Sequence, residues 1–382
     1  MKLNELRVQD PATKTYLGSP SIVRLPSGDL LATHDYFGPG CPRNHEGEEH
    51  LTSVYRSGDD GRSWWNVTHI ANAFWSTLLV MEETVYLFGT TQQYGSIAIR
   101  RSEDGGLTWT HPADSHSGLL FAAGPRRAAP NYHTAPVPVL VRDGRIYRAF
   151  EDNPSAAWPS GFQACVLSAD AGVDLLDAAN WRMSNRMAFR IEWLPEQWGR
   201  FAEGGWLEGN VVEDREGQLW DVLRLNARQS RDEPWSLWNK AALVRLEEAG
   251  TRLSFDPTEG FINLPGGHSK FSIRYDGQSG RYITLSNGVQ DPRQPTLRSV
   301  LSLYASVDLR SWTHRRVLLA DDSGFPAELS AQRTGFQYVD WQFDGGDIVY
   351  LVRTAYGGAR NYHDANRITF HRLRSFRRWL AP

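Results

Sequence analysis

Ionisable and polar side chains stand at the ends of several apolar segments of this chain. Glu208 opens one such segment and Arg224 closes it, while Tyr338 opens another. Carboxyl and imidazole groups can exchange protons with a substrate, and arginine side chains bind carboxylates through paired hydrogen bonds. Because unpaired charges are costly in a sealed core, convergence of these segment ends would create a hydrated binding site.

The segments that must position these residues form a repeat. Each unit is an apolar run, a short polar or glycine-containing turn and a second apolar run. The units start roughly 55–70 residues apart, which suits a four-stranded blade. The six hairpins are Ser21–Thr33, Ser76–Thr90, Pro136–Phe150, Glu208–Arg224, Lys270–Asn287 and Phe336–Arg353.

This repeat predicts an all-β fold, a six-bladed β-propeller of four-stranded antiparallel blades. We expect the propeller to occupy residues 1–382 as a single domain. A strand near Leu6–Val8 is expected to close the ring, and no long helix is expected.

Copies of the pattern S-x-D-x-G-x-[ST]-W strengthen the fold prediction. Ser57–Trp64 and Ser102–Trp109 match it, and Ser306–Trp312 is a degenerate copy without the glycine. Glycine after an acidic residue permits the positive φ of a tight turn, and the aspartate can accept backbone hydrogen bonds across it. The pattern resembles the Asp-box of sialidase-like β-propellers. This resemblance implies a structural role on the face away from the substrate.

In a propeller of this kind, the starts of first and third strands and the ends of second strands meet at one mouth. First strands would bring Ser19, Trp75, His133, Glu208, His268, Lys270 and Tyr338. Second strands would bring His34, Asp35, Glu151, Arg224, Asn287 and Arg353, and third strands Glu48, Glu49, His50 and Arg298. Among these, we predict that the substrate-binding residues are Arg224, Arg298, His133, His34, Asp35, His268 and Trp75.

Individual segments also resemble those of sialidases. The segment from Trp206–Val212 through Asp221–Arg224 looks like the sialidase stretch in which a glutamate opens one strand and an arginine closes the next. The resemblance implies that Glu208 is the carboxylate partner of a nucleophilic tyrosine and that Arg224 binds a substrate carboxylate. Likewise, Arg298 corresponds to another carboxylate-binding arginine, and Tyr338 to the nucleophile.

Two segments depart from the sialidase pattern. Gly18-Ser-Pro20 stands where the family has its first arginine, so we expect a site with two arginines. In sialidases the acidic proton donor, an aspartate, lies a short way ahead of the first Asp-box. This chain has Glu48-Glu-His50 there. The predicted catalytic residues are therefore Tyr338, Glu208 and His50, with Glu49 as the alternative proton donor.

Three functions fit these residues. The first is an exo-acting glycoside hydrolase on the terminal sugar of an acidic, uronate-bearing or deoxy-sugar-capped glycan. The second is a lyase that cleaves next to a uronate by β-elimination, with acid–base groups from His50, His133 and Tyr338. The third is a non-catalytic sugar-binding propeller, which a tyrosine–glutamate–arginine set argues against.

Composition narrows the partners. The formal net charge is −3 and no apolar run has the length of a membrane span, so neither nucleic acid nor a membrane is expected as a partner. The resemblance to sialidases implies an oligosaccharide or polysaccharide substrate. Two distant cysteines and no HExxH spacing predict no metal site and no cofactor. As the sequence stands we expect a cytoplasmic protein, and a secreted or periplasmic one if a leader has been removed.

Overall fold

The computed structural model describes residues 2–289 and 298–380, and its strands form six antiparallel sheets. Blade I contains β2 (Tyr16–Arg24), β3 (Leu30–Phe37), β4 (Leu51–Ser57) and β5 (Trp65–Ala71). Blade II contains β6 (Phe74–Met81), β7 (Thr84–Thr90), β8 (Ile97–Ser102) and β9 (Leu119–Phe121). Blade III contains β10 (Tyr132–His133), β11 (Leu140–Arg142), β12 (Arg145–Asp152), β13 (Gln163–Asp170), β14 (Arg182–Met183) and β15 (Met187–Ala188).

The second half of the chain repeats this plan. Blade IV contains β16 (Glu203–Glu213), β17 (Leu219–Arg228), β18 (Lys240–Glu247), β19 (Arg252–Ser254) and β20 (Phe261–Asn263). Blade V contains β21 (Ile273–Asp276), β22 (Arg281–Ser286), β23 (Val300–Ser306) and β24 (Trp312–Ala320). Blade VI contains β25 (Gly335–Asp344), β26 (Asp347–Ala355), β27 (Arg367–Leu373) and, from the other end of the chain, β1 (Asn4–Val8).

The six-bladed, four-stranded antiparallel propeller predicted from the sequence is confirmed. Blades III and IV keep the plan with interrupted strands, because β10 and β11 both pair with β12, and β19 and β20 both pair with β18. The predicted hairpins are the first two strands of each blade. The predicted closing strand is also present, since β1 pairs with β27. The α-helix of the described residues is α1 (Ala327–Arg333), and seven short 3₁₀ turns accompany it.

The core lies between neighbouring blades. Strand β2, for example, contacts β6 on one side and β25 on the other, and eight of its nine residues are buried. Large aromatic side chains fill the wedge between blades. Trp206 of blade IV is fully buried against Ala149 and Val166 of blade III. One blade cannot cover the apolar faces of its own sheet. Each blade therefore depends on its two neighbours to bury this surface.

The three motif copies form the turns between third and fourth strands of blades I, II and V. In the second copy, Asp104 Oδ1 accepts hydrogen bonds from Ser102 Oγ (2.8 Å) and the Thr108 amide (2.9 Å). The degenerate copy is one residue shorter. Leu309, directly after its aspartate, has a positive φ (63°), as do Asp60 (61°) and Gly105 (72°) at the corresponding position of the other copies. These turns lie on the same face as the turns between first and second strands, opposite the mouth. We call this the turn face.

Candidate active site

A repeated irregularity in the first strands aims side chains at the mouth. The strand register shifts in β2, β6, β16 and β25, and each bulge holds a non-glycine residue with φ between 46° and 55°. These residues are Ser19, Trp75, Glu208 and Tyr338. A left-handed residue in a bulge is strained by about 1–3 kcal/mol and is held there by surrounding packing. All four line the same cavity.

Tyr338 and Glu208 form the centre of the site, as the sequence predicts for residues that open first strands of different blades. Tyr338 Oη donates a hydrogen bond to Glu208 Oε1 at 2.7 Å. Arg224 Nη1 donates to Glu208 Oε2 at 2.8 Å and lies 3.5 Å from Tyr338 Oη. Burial opposes ionisation of Glu208, but Arg224 and His133 outweigh it and hold its pKa below the ordinary value. Glu208 is therefore ionised at neutral pH and accepts the hydrogen bond of the phenol.

Three guanidinium groups, those of Arg224, Arg298 and Arg353, surround Tyr338. The sequence analysis placed all three at the mouth and expected two of them, Arg224 and Arg298, to bind a substrate carboxylate. Arg298 acts on Tyr338 electrostatically, and the guanidinium carbon of Arg353 lies 4.9 Å from the centre of the tyrosine ring. Arg353 comes from the end of β26 and lies beside Gly18, where a Cβ would be 3.7 Å from its Nη1. Burial lowers the pKa of Arg353 to about 10, so it remains a cation at neutral pH.

Asp35 occupies the other side of the cavity as a neutral carboxyl group. Its Oδ2 accepts a hydrogen bond from the Trp75 amide (2.7 Å), and its Oδ1 lies 2.6 Å from Thr52 Oγ1. Thr52 Oγ1 is also 2.7 Å from the carbonyl oxygen of Ala73. A hydroxyl has one hydrogen to donate and the carbonyl can only accept, so a protonated Asp35 satisfies both contacts. Burial also raises the pKa of Asp35 to about 8.

A second carboxyl group, Glu49, lines the cavity near Asp35. Burial raises its pKa, although the Gly38 amide donates to Glu49 Oε1 at 2.8 Å and Arg43 Nη2 lies 3.1 Å from the same atom. These two partners hold the carboxylate in place. Glu49 is therefore anchored to the loop after β3, whereas Asp35 has no cationic partner among the described contacts.

His133 lies at the cavity as part of a buried pair. Its Nδ1 is 2.7 Å from Glu151 Oε2, and Glu151 Oε1 accepts a hydrogen bond from the Gly209 amide (3.2 Å). The carboxylate fixes the orientation of the imidazole, as in acid–base pairs of enzymes. The ring of Trp75 packs against that of His133 with centroids 4.3 Å apart.

The structure does not bring His34 and His50 to the cavity. His34 is fully buried within blade I, with Nδ1 3.1 Å from the Asp35 carbonyl oxygen and Nε2 3.3 Å from Tyr55 Oη. Successive strand residues point to opposite faces, so Asp35 lines the cavity and the adjacent His34 points away from it. His50 precedes β4 and accepts a hydrogen bond from the Asn72 amide (3.1 Å) at the outer strands. Asp35 and Glu49, the second of which is the alternative proton donor of the sequence analysis, do line the cavity.

Two cavities meet at Tyr338. We call the first the acid chamber; it has a volume of 200 Å³, and its lining includes Asp35, Glu49, Trp75, His133, Glu208 and Arg353. The second we call the tryptophan chamber. It has a volume of 270 Å³ and is lined by Trp158, Arg224, Asn226, Trp235, Leu237, Trp238, His268, Arg298, Tyr338, Tyr362 and His363. The predicted residues Arg224, Arg298 and His268 thus lie in one chamber, and Asp35, His133 and Trp75 in the other.

The sequence analysis named no substrate-binding or catalytic role for Arg353 or for four aromatic residues that line the tryptophan chamber, Trp158, Trp235, Trp238 and Tyr362. Arg353 was placed at the mouth by topology, and the wall residues lie in loops between second and third strands. Aromatic residues in mouth-side loops are the signal that points to them. Over residues 2–289 and 298–380, no group of three or more metal-ligating side chains is assembled. Nor does any helix in these ranges have the length and apolarity to cross a membrane.

Solved structures share this fold. The chain is similar to an α-L-arabinanase of Penicillium chrysogenum complexed with arabinobiose (17% identity, TM-score 0.59, 98% of this chain and 99% of that chain). It is also similar to an α-L-arabinofuranosidase of Fusarium graminearum bound to an iminosugar inhibitor (12% identity, TM-score 0.60, 99% of each chain). A Trypanosoma rangeli sialidase in complex with sialic acid matches 94% of this chain over 54% of its own length (14% identity, TM-score 0.57).

At these identities the likeness establishes the architecture, a six-bladed propeller of the kind found in sialidases and arabinanases. No protein-family model matches the chain, and no curated protein matches it.

Proposed function

We propose that the protein is an exo-acting glycoside hydrolase that cleaves a terminal sugar from a glycan. The observation that carries this proposal is the hydrogen-bonded Tyr338–Glu208 pair facing a cavity that also holds a neutral carboxyl group, Asp35. Glycoside hydrolysis needs a nucleophile on one side of the anomeric carbon and a proton donor for the leaving oxygen. The similar architectures of an arabinanase, an arabinofuranosidase and a sialidase add support.

The first step forms a bond between Tyr338 Oη and the anomeric carbon. The phenol proton passes to Glu208, Asp35 gives its proton to the glycosidic oxygen, and the glycosidic C–O bond breaks. Thr52 can then turn its hydrogen from Ala73 to the new Asp35 carboxylate. The leaving sugar departs as an alcohol.

The second step reverses these roles with water. Asp35 takes a proton from the water molecule, whose oxygen attacks the anomeric carbon and displaces Tyr338. Glu208 returns its proton to the phenolate oxygen. Two successive displacements at one carbon retain its configuration, so the proposed enzyme is a retaining hydrolase.

The charges around Tyr338 favour a substrate with an anionic group. Three guanidinium groups, those of the buried Arg224 and Arg353 and the half-buried Arg298, face the ionised carboxylate of Glu208. Asp364, which also acts on Arg353, still leaves a positive surplus. Uncompensated buried cations are costly, and a carboxylate of the substrate would offset that cost. A phenol also suits such a substrate as nucleophile, because a carboxylate nucleophile would repel the anion.

A lyase acting next to a uronate is the second candidate. It is favoured by the buried His133–Glu151 pair, which can serve as a general base at the same cavity. In β-elimination this base would take the proton next to the carboxylate, and an acid group would protonate the leaving oxygen.

Product analysis on a panel of acidic oligosaccharides tests the proposal. We expect cleavage to a reducing sugar without the ultraviolet absorbance of an unsaturated uronate. Tyr338→Phe should lower kcat/KM by about 10²–10⁴-fold, because it removes the nucleophile. Tyr275→Phe, an exposed tyrosine at the turn face, is the matched control and should leave activity unchanged.

Two outcomes would overturn the hydrolase proposal. Absorbance that rises with cleavage would identify the lyase. Saccharide binding without cleavage of any panel member would identify a sugar-binding propeller.

A further inference from the structure

The bulge that carries Tyr338 leaves a buried carbonyl group without a strand partner. The register of β25 against β26 passes from Gln337 directly to Asp340, so Tyr338 and Val339 are skipped in the ladder. Val339 is buried, and a buried carbonyl oxygen without a donor costs as much as a lost hydrogen bond. The conformation of this bulge therefore depends on donors from outside β26.

Lys270 of blade V supplies the main donor. Its Nζ donates to the Val339 carbonyl oxygen at 2.6 Å and to Ser272 Oγ at 2.8 Å. Ser272 Oγ lies 3.2 Å from the same carbonyl oxygen, as a second and weaker donor. The sequence analysis placed Lys270 at the mouth, but its side chain is fully buried and lines neither chamber. Lys270 therefore reaches Tyr338 through the backbone and not through a ligand.

The charge of Lys270 strengthens this contact. Burial lowers the pKa of Lys270 to about 8 against the opposing effect of Asp340 and Glu208, so Lys270 remains a cation at neutral pH. Hydrogen bonds from a charged donor are stronger than those between neutral groups. On the other side, Asp340 Oδ2 accepts hydrogen bonds from Ser21 Oγ (2.8 Å) and the Ile22 amide (3.0 Å) of blade I. The bulge of β25 is thus tied to both neighbouring blades.

Side-chain donors also hold other bulges of the mouth. Arg148, which is fully buried, donates from Nη2 to the carbonyl oxygen of Trp75 at 3.3 Å. The carbonyl oxygen of Glu208 accepts a hydrogen bond from Asn210 Nδ2 at 3.2 Å. Bulge carbonyls in blades II, IV and VI are therefore all bound by buried side chains, and Lys270 makes the shortest of these hydrogen bonds.

We propose that Lys270 is a positioning residue for Tyr338, which holds the bulge from behind and so directs the phenol at the anomeric carbon. Tyr338 has a strained φ of 52°, which a released bulge would relieve. A misplacement of about 1 Å in an attacking atom can lower the rate by about 10²-fold. The effect on catalysis rests on the proposed function, whereas the hold of Lys270 on Tyr338 does not.

Kinetics of Lys270→Met test the catalytic effect, because methionine keeps the length of the side chain and removes its donor. We expect kcat to fall by about 10²-fold with little change in KM, since Lys270 does not contact the substrate. Arg377→Met is the matched control. Arg377 binds Asp276 of the same blade at the turn face through Nε (2.8 Å) and Nη2 (2.6 Å). Its loss should lower the melting temperature and leave both kinetic constants unchanged.

A spectroscopic measurement tests the position of Tyr338 without a substrate. In protein labelled with fluorotyrosine, the fluorine NMR signal that Tyr338→Phe removes belongs to Tyr338. We expect Lys270→Met to shift or broaden this signal and Arg377→Met to leave it in place. Ser272→Ala, which removes the second donor, serves if Lys270→Met does not fold. It should change the signal and kcat in the same direction by a smaller amount.

A Tyr338 signal and a kcat that are unchanged in both Lys270→Met and Ser272→Ala overturn the proposal. A loss that appears in KM rather than in kcat also overturns it. Failure of the proposed function gives a different result. If the Tyr338 signal moves in Lys270→Met but the unchanged protein cleaves no glycan, the positioning of Tyr338 holds and the hydrolase proposal fails. Cleavage by the unchanged protein, with neither the signal nor kcat altered in the variants, has the opposite meaning.

Discussion

The two faces of the propeller use aspartate in opposite ways. On the turn face, Asp104 is exposed, and hydrogen bonds from Thr108, Ser102 and Leu107 outweigh its slight burial and lower its pKa. At the mouth, Asp35 is fully buried and its pKa is raised to about 8. The donors of Asp104 lie within four residues of it, whereas Asp35 depends on neighbours from β4 and β6. A carboxylate whose hydrogen-bond donors lie in its own turn has a structural role. A carboxyl group that other strands bury away from water has a shifted pKa and can exchange protons with a substrate.

The largest effect should come from Asp35→Asn, because an amide cannot give a proton to a leaving oxygen. We expect kcat/KM to fall by about 10²–10⁴-fold on natural glycans. In the unchanged enzyme, activity that needs the protonated acid should decline above about pH 8. Activity assays of both proteins across pH check this, and an Asn variant with full activity would assign Asp35 a purely structural role.

The same substitution should change the pH dependence of stability. The folded protein holds the Asp35 proton between its ordinary pKa of 3.8 and about 8, whereas the unfolded chain releases it. Stability therefore falls as pH rises through this window. Because the variant does not lose this contribution, its melting temperature relative to the parent should rise from about pH 5 to about pH 8. A constant difference would contradict a raised pKa.

A smaller effect is expected at the turn face. Asp104→Asn should lower the free energy of unfolding by about 1 kcal/mol at neutral pH and leave activity unchanged. Its folded pKa is lowered, so the stabilisation is present at neutral pH and is lost as pH falls through that pKa. Denaturant unfolding at neutral and acid pH measures this, with Glu103→Gln as the neighbouring exposed control. Loss of activity in a folded Asp104→Asn protein would contradict a purely structural role for the aspartates of the turn face.

The smallest effect concerns backbone strain. Glu82, in the turn between β6 and β7, has a φ of 53°, close to that of Tyr338 at the mouth. Glu82→Gly should stabilise the protein by about 0.5–1 kcal/mol, since glycine adopts this φ without a Cβ clash. Glu83→Gly, at a position without positive φ, should destabilise it slightly. Melting temperatures of the two variants test this. A Glu82→Gly protein that is no more stable than the parent would show that the positive φ of Glu82 costs no stability.

The sequence predicts the repeat well because each hairpin carries its own local signals. Apolar runs separated by Asp-Gly or Glu-Gly turns specify β11–β12, β16–β17 and β25–β26 without reference to other blades. The mouth positions of Tyr338, Glu208 and Arg224 follow from the same regularity. Their hydrogen bonds then follow from the propeller bringing blades IV and VI to one axis.

What the sequence does not specify depends on contacts between blades. The left-handed residues of two bulges are Ser19 and Trp75 rather than glycine, so the sequence gives no sign of their positive φ. Packing against neighbouring blades imposes this strained conformation. The protonation of Asp35 depends on its burial against Thr52 and the Trp75 amide. His34 and Asp35 are neighbours in β3, so their side chains lie on opposite faces of the strand. The sequence alone does not show which of the two faces the cavity, because that depends on the register of β3 to one residue.

The strand that joins the two ends of the chain has a further consequence. Strand β1 covers the outer edge of β27, and its Leu6 is buried in the cluster that contains Leu17 and Ile368. Without β1, the backbone N–H and C=O groups of that edge would be open to any extended segment of suitable sequence. The best-matched segment is β1 of another copy, so a loosened ring can exchange this strand reciprocally between two molecules. Strand-exchanged dimers at high concentration are therefore the expected form of self-association for this propeller.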